Sequence, residues 1–324
     1  MTKAILIEKT GGPEVLQWRE TPVGDPGEGQ VRVRQIAIGL NYIDTYQRSG
    51  LYPIPLPGCI GLEAAGVIDA VGPGVSNFKI GDRVAYAGGP AGSYAEERVM
   101  PAAPLVKLPD AISDQEAAAM MLKGMTVQYL IRRTYQVKAG ETVLLHAAAG
   151  GVGLIACQWL RALGVTVIGT VSSEEKAALA KANGCTHTII YRKENFANRV
   201  RELTGGAGVP VVYDSVGKDT WDDSLSCLQP MGLMVSFGNT SGPVAPVNIG
   251  QLAAKGSLFV TRPALATYTA KPKDLQAMAK DLFDVLASGQ VKAKVSQTYA
   301  LKEAAQAHRD LEGSKTVGST ILLP

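Results

Sequence analysis

The stretch from Val143 to Gly164, VLLHAAAGGVGLIACQWLRALG, constrains the chain most: an apolar strand turns through AAAGGVG and runs straight into a helix. Small residues allow the tight turn, and the helix that follows points its first amide hydrogens and its partial positive charge out of its end, where they attract an anion. In the G-x-G-x-x-G register the three positions are Ala148, Gly150 and Gly153. Gly150 lets the backbone approach a pyrophosphate, and Gly153 lets the helix pack closely on its strand. Ala148 replaces the first glycine, so the reading depends on the βαβ context around it.

That context follows. From Glu141 to about Val260 the segments TVLLHA, GVGLIACQWLRAL, VTVIGTV, EEKAALAKAN, THTII, ENFANRVREL and VPVVYDSV read as strand and helix in turn, with Gly164 and Gly184 at helix ends. The pattern predicts an α/β fold with a doubly wound parallel sheet of Rossmann type. The first third differs: QVRVRQIAIGL from Gln30, EAAGVIDAV from Glu63, RVAYA from Arg83 and SYAEERV from Ser93 are short strands separated by turn residues, as in a small barrel or sandwich. SDQE from Ser113 is a capping box opening a helix through AAAMML, and a second helix is predicted from Lys123 to Tyr135. The tail from Pro272 carries two helical segments, DLQAMAKDLFDVLASG and LKEAAQAHRDLEG, and a last strand, GSTILLP.

Cofactor choice is legible at the end of the second strand of this unit. An NAD-type site presents Asp or Glu to the ribose there; this chain has Val171, Ser172 and Ser173, with Lys176 following. No carboxylate repels a 2'-phosphate, serine hydroxyls and helix-start amides can donate to it, and Lys176 neutralises part of its charge. The expected cofactor is NADPH, with Tyr191 as a further wall for the phosphate.

Composition removes other classes. The 32 basic and 29 acidic residues are interleaved, which disfavours nucleic acid as a partner. Four cysteines, Cys59, Cys157, Cys185 and Cys227, form no CxxC, and the three histidines, His146, His187 and His308, are expected to be structural. Lys3 is followed by four apolar residues before Glu8, too few for a signal peptide, and no run is long enough to span a membrane, so the expected location is the cytoplasm.

The motif G-E-x-x-L-x-x-x-A-A-G-G-V-G-x-x-x-x-Q-x-x-R, from Gly140 through Gln158 to Arg161, resembles the signature of the NADPH:quinone oxidoreductases, the zinc-free, ζ-crystallin-like branch of the medium-chain dehydrogenase/reductase superfamily. NYIDTYQRSGLYP from Asn41, AAGVI from Ala64, VYDSVG from Val212, VSFGNTSG from Val235 and VTRPAL from Val260 extend the resemblance over essentially the whole chain. It implies a discontinuous GroES-like β-rich catalytic domain over 1–122 and 267–324, a Rossmann NADP-binding domain over 123–266, and a cleft joining them.

The resemblance also implies roles. Asn41, Tyr46 and Tyr52 would line the catalytic site, with Asp44 read as structural. Asn41, Lys123, Thr126 and Tyr129 would meet the nicotinamide half of NADPH, and Gly151 and Val152 the pyrophosphate. Ser172, Lys176 and Tyr191 would meet the adenosine phosphate, and Ser215 and Gly217 the adenosine side. Phe237, Gly238, Asn239 and Ser241 would close over the ribose and nicotinamide, with Arg262 and Lys315 as further candidates. Zinc-dependent relatives carry a ligand Cys where this chain has Asn41, and Gly-His-Glu where it has Gly61, Leu62 and Glu63, so no metal is expected.

The implied activity is zinc-independent hydride transfer from NADPH to a quinone bound in the cleft. A 2-alkenal or enone reductase needs the same cofactor and an apolar site, and stands as the alternative. A non-enzymatic NADPH-binding structural or RNA-binding role is the alternative of another class, with the dispersed charge against it. GSLFVTRPAL from Gly256 reads as a late apolar edge strand, which in this family pairs across a two-fold axis and implies a homodimer.

Overall fold

In the computed structural model, which describes every residue from Met1 to Pro324, the head of the chain is mostly strand. The elements are β1 (Thr2–Ile7), β2 (Gln17–Thr21), β3 (Gln30–Leu40), α1 (Tyr42–Ser49), β4 (Gly58–Cys59), β5 (Glu63–Val71), β6 (Arg83–Ala87), β7 (Glu97–Pro101) and β8 (Val106–Lys107). β2, β1 and β4 form a three-stranded sheet, while β3 is central to a seven-stranded one. Alternation explains that place: Val31, Val33 and Ile38 are fully buried, with Arg32 and Arg34 turned outward between them.

A long helix, α2 (Asp114–Tyr129), follows, opened by the capping box: Ser113 N donates to Glu116 Oε2 (3.0 Å), and Glu116 N donates to Ser113 Oγ (3.2 Å). The separate helix expected from Lys123 to Tyr135 is not there. The first helix runs on unbroken to Tyr129 and then widens into a π turn over Leu130–Thr134. Gly124, inside the continuous helix, is a close approach, since a Cβ there would lie 2.6 Å from Leu282 Cδ1. The strand expected from Ser93 also begins later, at Glu97. Gly92 turns the chain at φ +136°, and the residues after it seat Tyr94 in the core, fully buried, with Ala95 bridged to Ala4 before the continuous strand begins.

The second half alternates as expected: β9 (Thr142–Leu145), α3 (Gly151–Ala162), β10 (Thr166–Val171), α4 (Glu174–Ala182), β11 (His187–Ile190), α5 (Phe196–Leu203), β12 (Val209–Asp214), α6 (Trp221–Cys227), β13 (Leu228–Ser236), α7 (Gly250–Ala254) and β14 (Phe259–Thr261). The six strands are parallel in the order β11-β10-β9-β12-β13-β14. This is the doubly wound order, in which direction reverses between the first and fourth strands and leaves a crevice outside their carboxyl ends. The core beneath contains Leu144, Ile168, Ile189, Val212 and Met234.

The tail adds α8 (Leu265–Tyr268), α9 (Pro272–Ala287), β15 (Val295–Ala300), α10 (Ala304–Glu312) and β16 (Ser319–Leu323). β16 lies antiparallel to β3, with Ile321 opposite Gly39 and Leu322 opposite Ile38, and Leu301, Ala304, Ala307 and Leu322 join the β core. By its internal contacts the chain divides into two units: Met1–Met125 with Thr269–Ala287 and Ala293–Pro324, and Thr126–Tyr268 with Ser288–Lys292.

Candidate functional site

In the Rossmann unit the glycine turn has the geometry its sequence requires. Ala147 takes φ +53°, Gly150 N donates to Ala147 O (2.9 Å), and α3 starts at Gly151 with Gly150 as its N-cap. A glycine cap supplies no side-chain oxygen, which leaves the first helical N–H groups for an anion. A Cβ on Gly153 would sit 2.3 Å from Ala147 O, so this position is fixed by the packing of the helix against the turn that precedes it. At Gly150 an added Cβ would meet only Ala147 O, at 3.2 Å; its freedom faces outward. Ala148 is tolerated where a glycine is usual because β10 offers Gly169 opposite it: a Cβ there would lie 2.6 Å from the Ala148 Cβ.

At the carboxyl end of β10, Ser172 and Ser173 are half-buried, and Ser173 caps α4 by accepting from Lys176 N at 3.3 Å. The cap uses a lone pair of Ser173 and leaves its proton free to donate. Tyr191, just past β11, is 49% exposed.

Two loops follow β12 and β13 and bind one another. Phe237 N donates to Asp214 O (2.7 Å), Ser241 N to Val216 O (2.9 Å) and Lys218 N to Gly242 O (3.1 Å). Gly217 and Gly238 are needed for that approach, since a Cβ on Gly238 would lie 2.4 Å from Ser215 O and one on Gly217 2.7 Å from Gly242 O. Ser241 is a latch: its hydroxyl donates to Val216 O (2.9 Å) and accepts from Asp219 N (3.1 Å). Arg262 holds the second loop, donating to Ser236 Oγ (3.1 Å) and Gly238 O (2.9 Å), and Asn239, with its amide oxygen turned to Arg262 Nη2, accepts at 3.0 Å.

Sequence reasoning missed the residue that organises these loops. Asp214, fully buried at the end of β12, accepts from Val216 N (2.7 Å) and Gly217 N (3.0 Å) at Oδ1, and from Thr220 Oγ1 (2.7 Å) and Ser224 Oγ (3.0 Å) at Oδ2. Because Ser224 spends its proton on the carboxylate, it accepts from His146 Nε2 (2.9 Å), and Nδ1 of that ring accepts from Thr170 Oγ1 (2.9 Å). Burial lowers the His146 pKa, keeping the ring neutral. It ties the end of β9 to β10 and to α6. The order of β10, β9 and β12, with α6 following β12, brings His146 and Thr170 to Ser224, and no local sequence signal exists for that contact. In the same unit Thr126 and Tyr129 are both buried, and the Tyr129 ring stacks on Tyr268 with centroids 4.5 Å apart.

In the β-rich unit, Asn41 is 4% exposed at the start of α1, with Asp44 Oδ2 accepting from its backbone N at 2.9 Å. Its side-chain Nδ2 donates to Glu63 Oε2 (2.7 Å), which also receives Lys123 Nζ (3.2 Å). The structure therefore brings Asn41 and Lys123 onto one carboxylate. Tyr46 is buried and Tyr52 half-buried; their rings meet edge to face with centroids 5.2 Å apart. Lys315 lies in the exposed turn after α10, 3.4 Å from Asp310. Cys59 contacts Tyr94 O and Ile60 O, and burial pushes its thiol pKa up to about 12.

Behind Asn41 runs a buried polar chain. Tyr94 Oη donates to Asp44 Oδ2 (2.9 Å), His308 Nε2 lies 3.0 Å from Tyr94 Oη, and Arg48 Nη1 lies 3.0 Å from His308 Nδ1. Arginine has no acceptor, so Nδ1 accepts and the His308 proton sits on Nε2. Burial raises Asp44 to about 7 and, helped by the Arg48 charge, lowers His308 to about 3. Asp44 thus caps and anchors α1, the structural role its sequence position suggested.

Comparison with known proteins agrees with this geometry. Residues 27–110 match the alcohol dehydrogenase GroES-like domain family, and residues 151–282 match the zinc-binding dehydrogenase family. The chain is 58% identical to a quinone oxidoreductase of Pseudomonas aeruginosa, with 100% of both chains covered. It is 49% identical to a 2-haloacrylate reductase of a Burkholderia species, over 100% of this chain and 99% of the other. It superposes on the crystal structure of Escherichia coli quinone oxidoreductase complexed with NADPH with a TM-score of 0.98 at 52% identity, covering 99% of this chain and 100% of that one. The chain belongs to the quinone oxidoreductase family of the medium-chain dehydrogenase/reductase superfamily.

Proposed function

We propose that the protein is an NADPH-dependent quinone reductase that works without a metal. The observation that carries the reading is the glycine turn with its outward-free Gly150, followed at the end of β10 by Ser172, Ser173 and Lys176 in place of a carboxylate. These residues fit NADPH. Helix-start amides face a pyrophosphate at Gly151 and Val152, and hydroxyls and an ammonium meet a 2'-phosphate. The name of the P. aeruginosa relative and the NADPH in the E. coli structure support the same assignment.

When bound, NADPH supplies a hydride from its nicotinamide ring. The chain's residues orient and exclude water. The Tyr129 ring, fixed by stacking on Tyr268, and Asn41 and Lys123, fixed by Glu63, are the groups assigned to the nicotinamide half. Tyr46 and Tyr52 offer aromatic faces to a planar acceptor. A conjugated carbonyl is already electrophilic, so it needs less activation than a simple ketone. The donor set argues against a cation beside Asn41. The carboxylate there is already neutralised by an ammonium, and the nearby thiol is held protonated.

We further assign the protein to the cytoplasm and to a homodimer formed through β14, whose Phe259 is 61% exposed. The identity with a 2-haloacrylate reductase favours a second reading, hydride delivery to the β-carbon of an activated alkene. NADPH oxidation followed by stopped flow with 1,4-benzoquinone, 9,10-phenanthrenequinone and a set of 2-alkenals tests both. Turnover of the quinones is expected, and activity confined to alkenals overturns the first reading in favour of the second.

A further inference from the structure

The carboxylate of Glu63 is fully buried and receives three donors. Oε1 accepts from Leu122 N at 2.6 Å, and Oε2 accepts from Asn41 Nδ2 at 2.7 Å and Lys123 Nζ at 3.2 Å. The backbone is shaped around it, since a Cβ on Gly39 would fall 2.0 Å from Oε2 and 2.4 Å from Ala118 O. Lys123 is itself only 5% exposed. Three donors converging on two oxygens demand an acceptor-only group; a glutamine in the same place must turn its amide nitrogen toward a donor whichever way it is flipped.

We propose that Glu63 is a positioning residue for hydride transfer: one buried carboxylate sets the Asn41 amide and the Lys123 ammonium in fixed relation. The proposal rests on the assignment of Asn41 and Lys123 to the nicotinamide half of NADPH. Glu63 touches neither cofactor nor acceptor in this account. It acts through the two groups it holds, one at the start of α1 and one within α2. The other titratable group facing this cluster is Asp44, which feels the charges of both Glu63 and Lys123 and holds the Asn41 backbone N–H.

The test has a ligand-free arm and a loaded arm. Without Glu63 the buried ammonium loses the carboxylate bonded to it and keeps only the charge of Asp44, so its pKa in the folded protein falls below the value of about 10.4 it keeps when unfolded. The unfolded chain then binds the extra proton, and stability rises with pH through that window. The thermal midpoint of unliganded Glu63→Gln, measured against wild type, is therefore expected to show its largest deficit at pH 6 and a shrinking one toward pH 10. In Glu63→Gln with Lys123→Met that pH dependence disappears. A deficit that does not change with pH overturns the proposal, because it marks a packing role only.

In the loaded arm, Glu63→Gln is expected to lower kcat with 9,10-phenanthrenequinone at least tenfold at pH 7. NADPH affinity measured by fluorescence changes less than threefold, since the adenosine-end contacts are untouched. Glu63→Asp keeps the charge but falls a methylene short of the three donors; it is expected to lose kcat without acquiring the pH-dependent midpoint. A kcat for Glu63→Gln within twofold of wild type overturns the proposal while leaving the NADPH reading in place. A wild type that binds no NADPH overturns that reading instead, and the ligand-free arm still judges the cluster.

Discussion

A Cβ on Gly153 would stand 2.3 Å from the carbonyl oxygen of Ala147, closer than any side chain can approach, whereas one on Gly150 would reach the same oxygen only at 3.2 Å. Two glycines three residues apart therefore serve different ends. Gly153→Ala forces the helix off the turn that precedes it, an overpacking cost of about 1–3 kcal/mol, and is expected to lower the thermal midpoint clearly. Gly150 has φ −78°, which alanine adopts without strain. Gly150→Ala is expected to keep the midpoint within a few degrees yet weaken NADPH about tenfold or more, because its methyl occupies the space a pyrophosphate needs. Calorimetry and fluorescence titration of the two variants separate the effects; equal loss of midpoint in both would remove the distinction.

Lys176 is the selective element at the other end of the cofactor. Its backbone N–H caps onto Ser173, so Lys176→Ala leaves the start of α4 intact and removes only the ammonium. NADPH is expected to bind about tenfold more weakly, with NADH unchanged within a factor of about two. Parallel titrations decide it, and equal weakening of both cofactors rejects the 2'-phosphate assignment.

What was legible in the sequence was what is local. The strands of β3, β5 and β6 follow from alternation and apolar runs, and the glycine turn follows from the run AAAGGVG that carries a strand into a helix. The second helix predicted from Lys123 is part of the first, because a continuous helical run carries no signal that separates one helix from two. β15 has no sequence signal because VSQTYA is half-buried except for the exposed Thr298 and shows no clean period. The return of the tail to the β-rich part is implied by resemblance alone, and the pairing of β16 with β3 is read only from the structure, since nothing in either strand names its partner. Glu63 is illegible as an organiser because its donors lie far away in sequence, at Asn41, Leu122 and Lys123; the donors to Asp214 all lie within ten residues of it, but nothing in a run of polar residues after a strand says that they fold back onto one carboxylate.

Asp44 carries a buried charge whose cost depends on pH. Its pKa in the folded protein is raised by burial to about 7, so its contribution is most favourable below about pH 4 and is lost as pH rises through 7. Oδ2 makes both of its hydrogen bonds, to Asn41 N and Tyr94 Oη, while Oδ1 has no partner. An asparagine can keep both bonds through its oxygen. Asp44→Asn is expected to gain stability relative to wild type between pH 5 and pH 8, by roughly 1–4 kcal/mol. His308, held at about 3, works in the opposite sense, losing stability as pH falls below about 6.5, but it is common to both proteins and drops out of the difference. Urea titrations at the two pH values measure it, and a constant difference would refute the buried-charge account.

The cluster of Asn41, Glu63 and Lys123 predicts indifference to chelators. The carboxylate is matched by an ammonium at 3.2 Å, and the Cys59 thiol, pushed up to about 12, offers no thiolate at neutral pH. Purified protein is expected to hold less than about 0.1 zinc per chain and to keep its activity after dialysis against EDTA. Elemental analysis with stoichiometric zinc, lost together with activity, would refute the metal-free mechanism.

β14 is the outer strand of the parallel sheet, hydrogen-bonded only to β13, and its residues Phe259 and Val260 are 61% and 41% exposed. Successive residues of a strand point to opposite faces, so both faces of this edge are apolar and uncovered. A free edge of that kind recruits any strand it meets, and a second copy of itself across a two-fold axis satisfies the hydrogen bonds and buries both side chains. Sedimentation at micromolar concentration is therefore expected to give a dimer for the wild type. Val260→Lys places a charge on the edge and is expected to give a monomer with an unchanged far-ultraviolet circular dichroism spectrum. A monomeric wild type rejects the dimer, and a Val260→Lys protein that remains dimeric moves the interface away from β14.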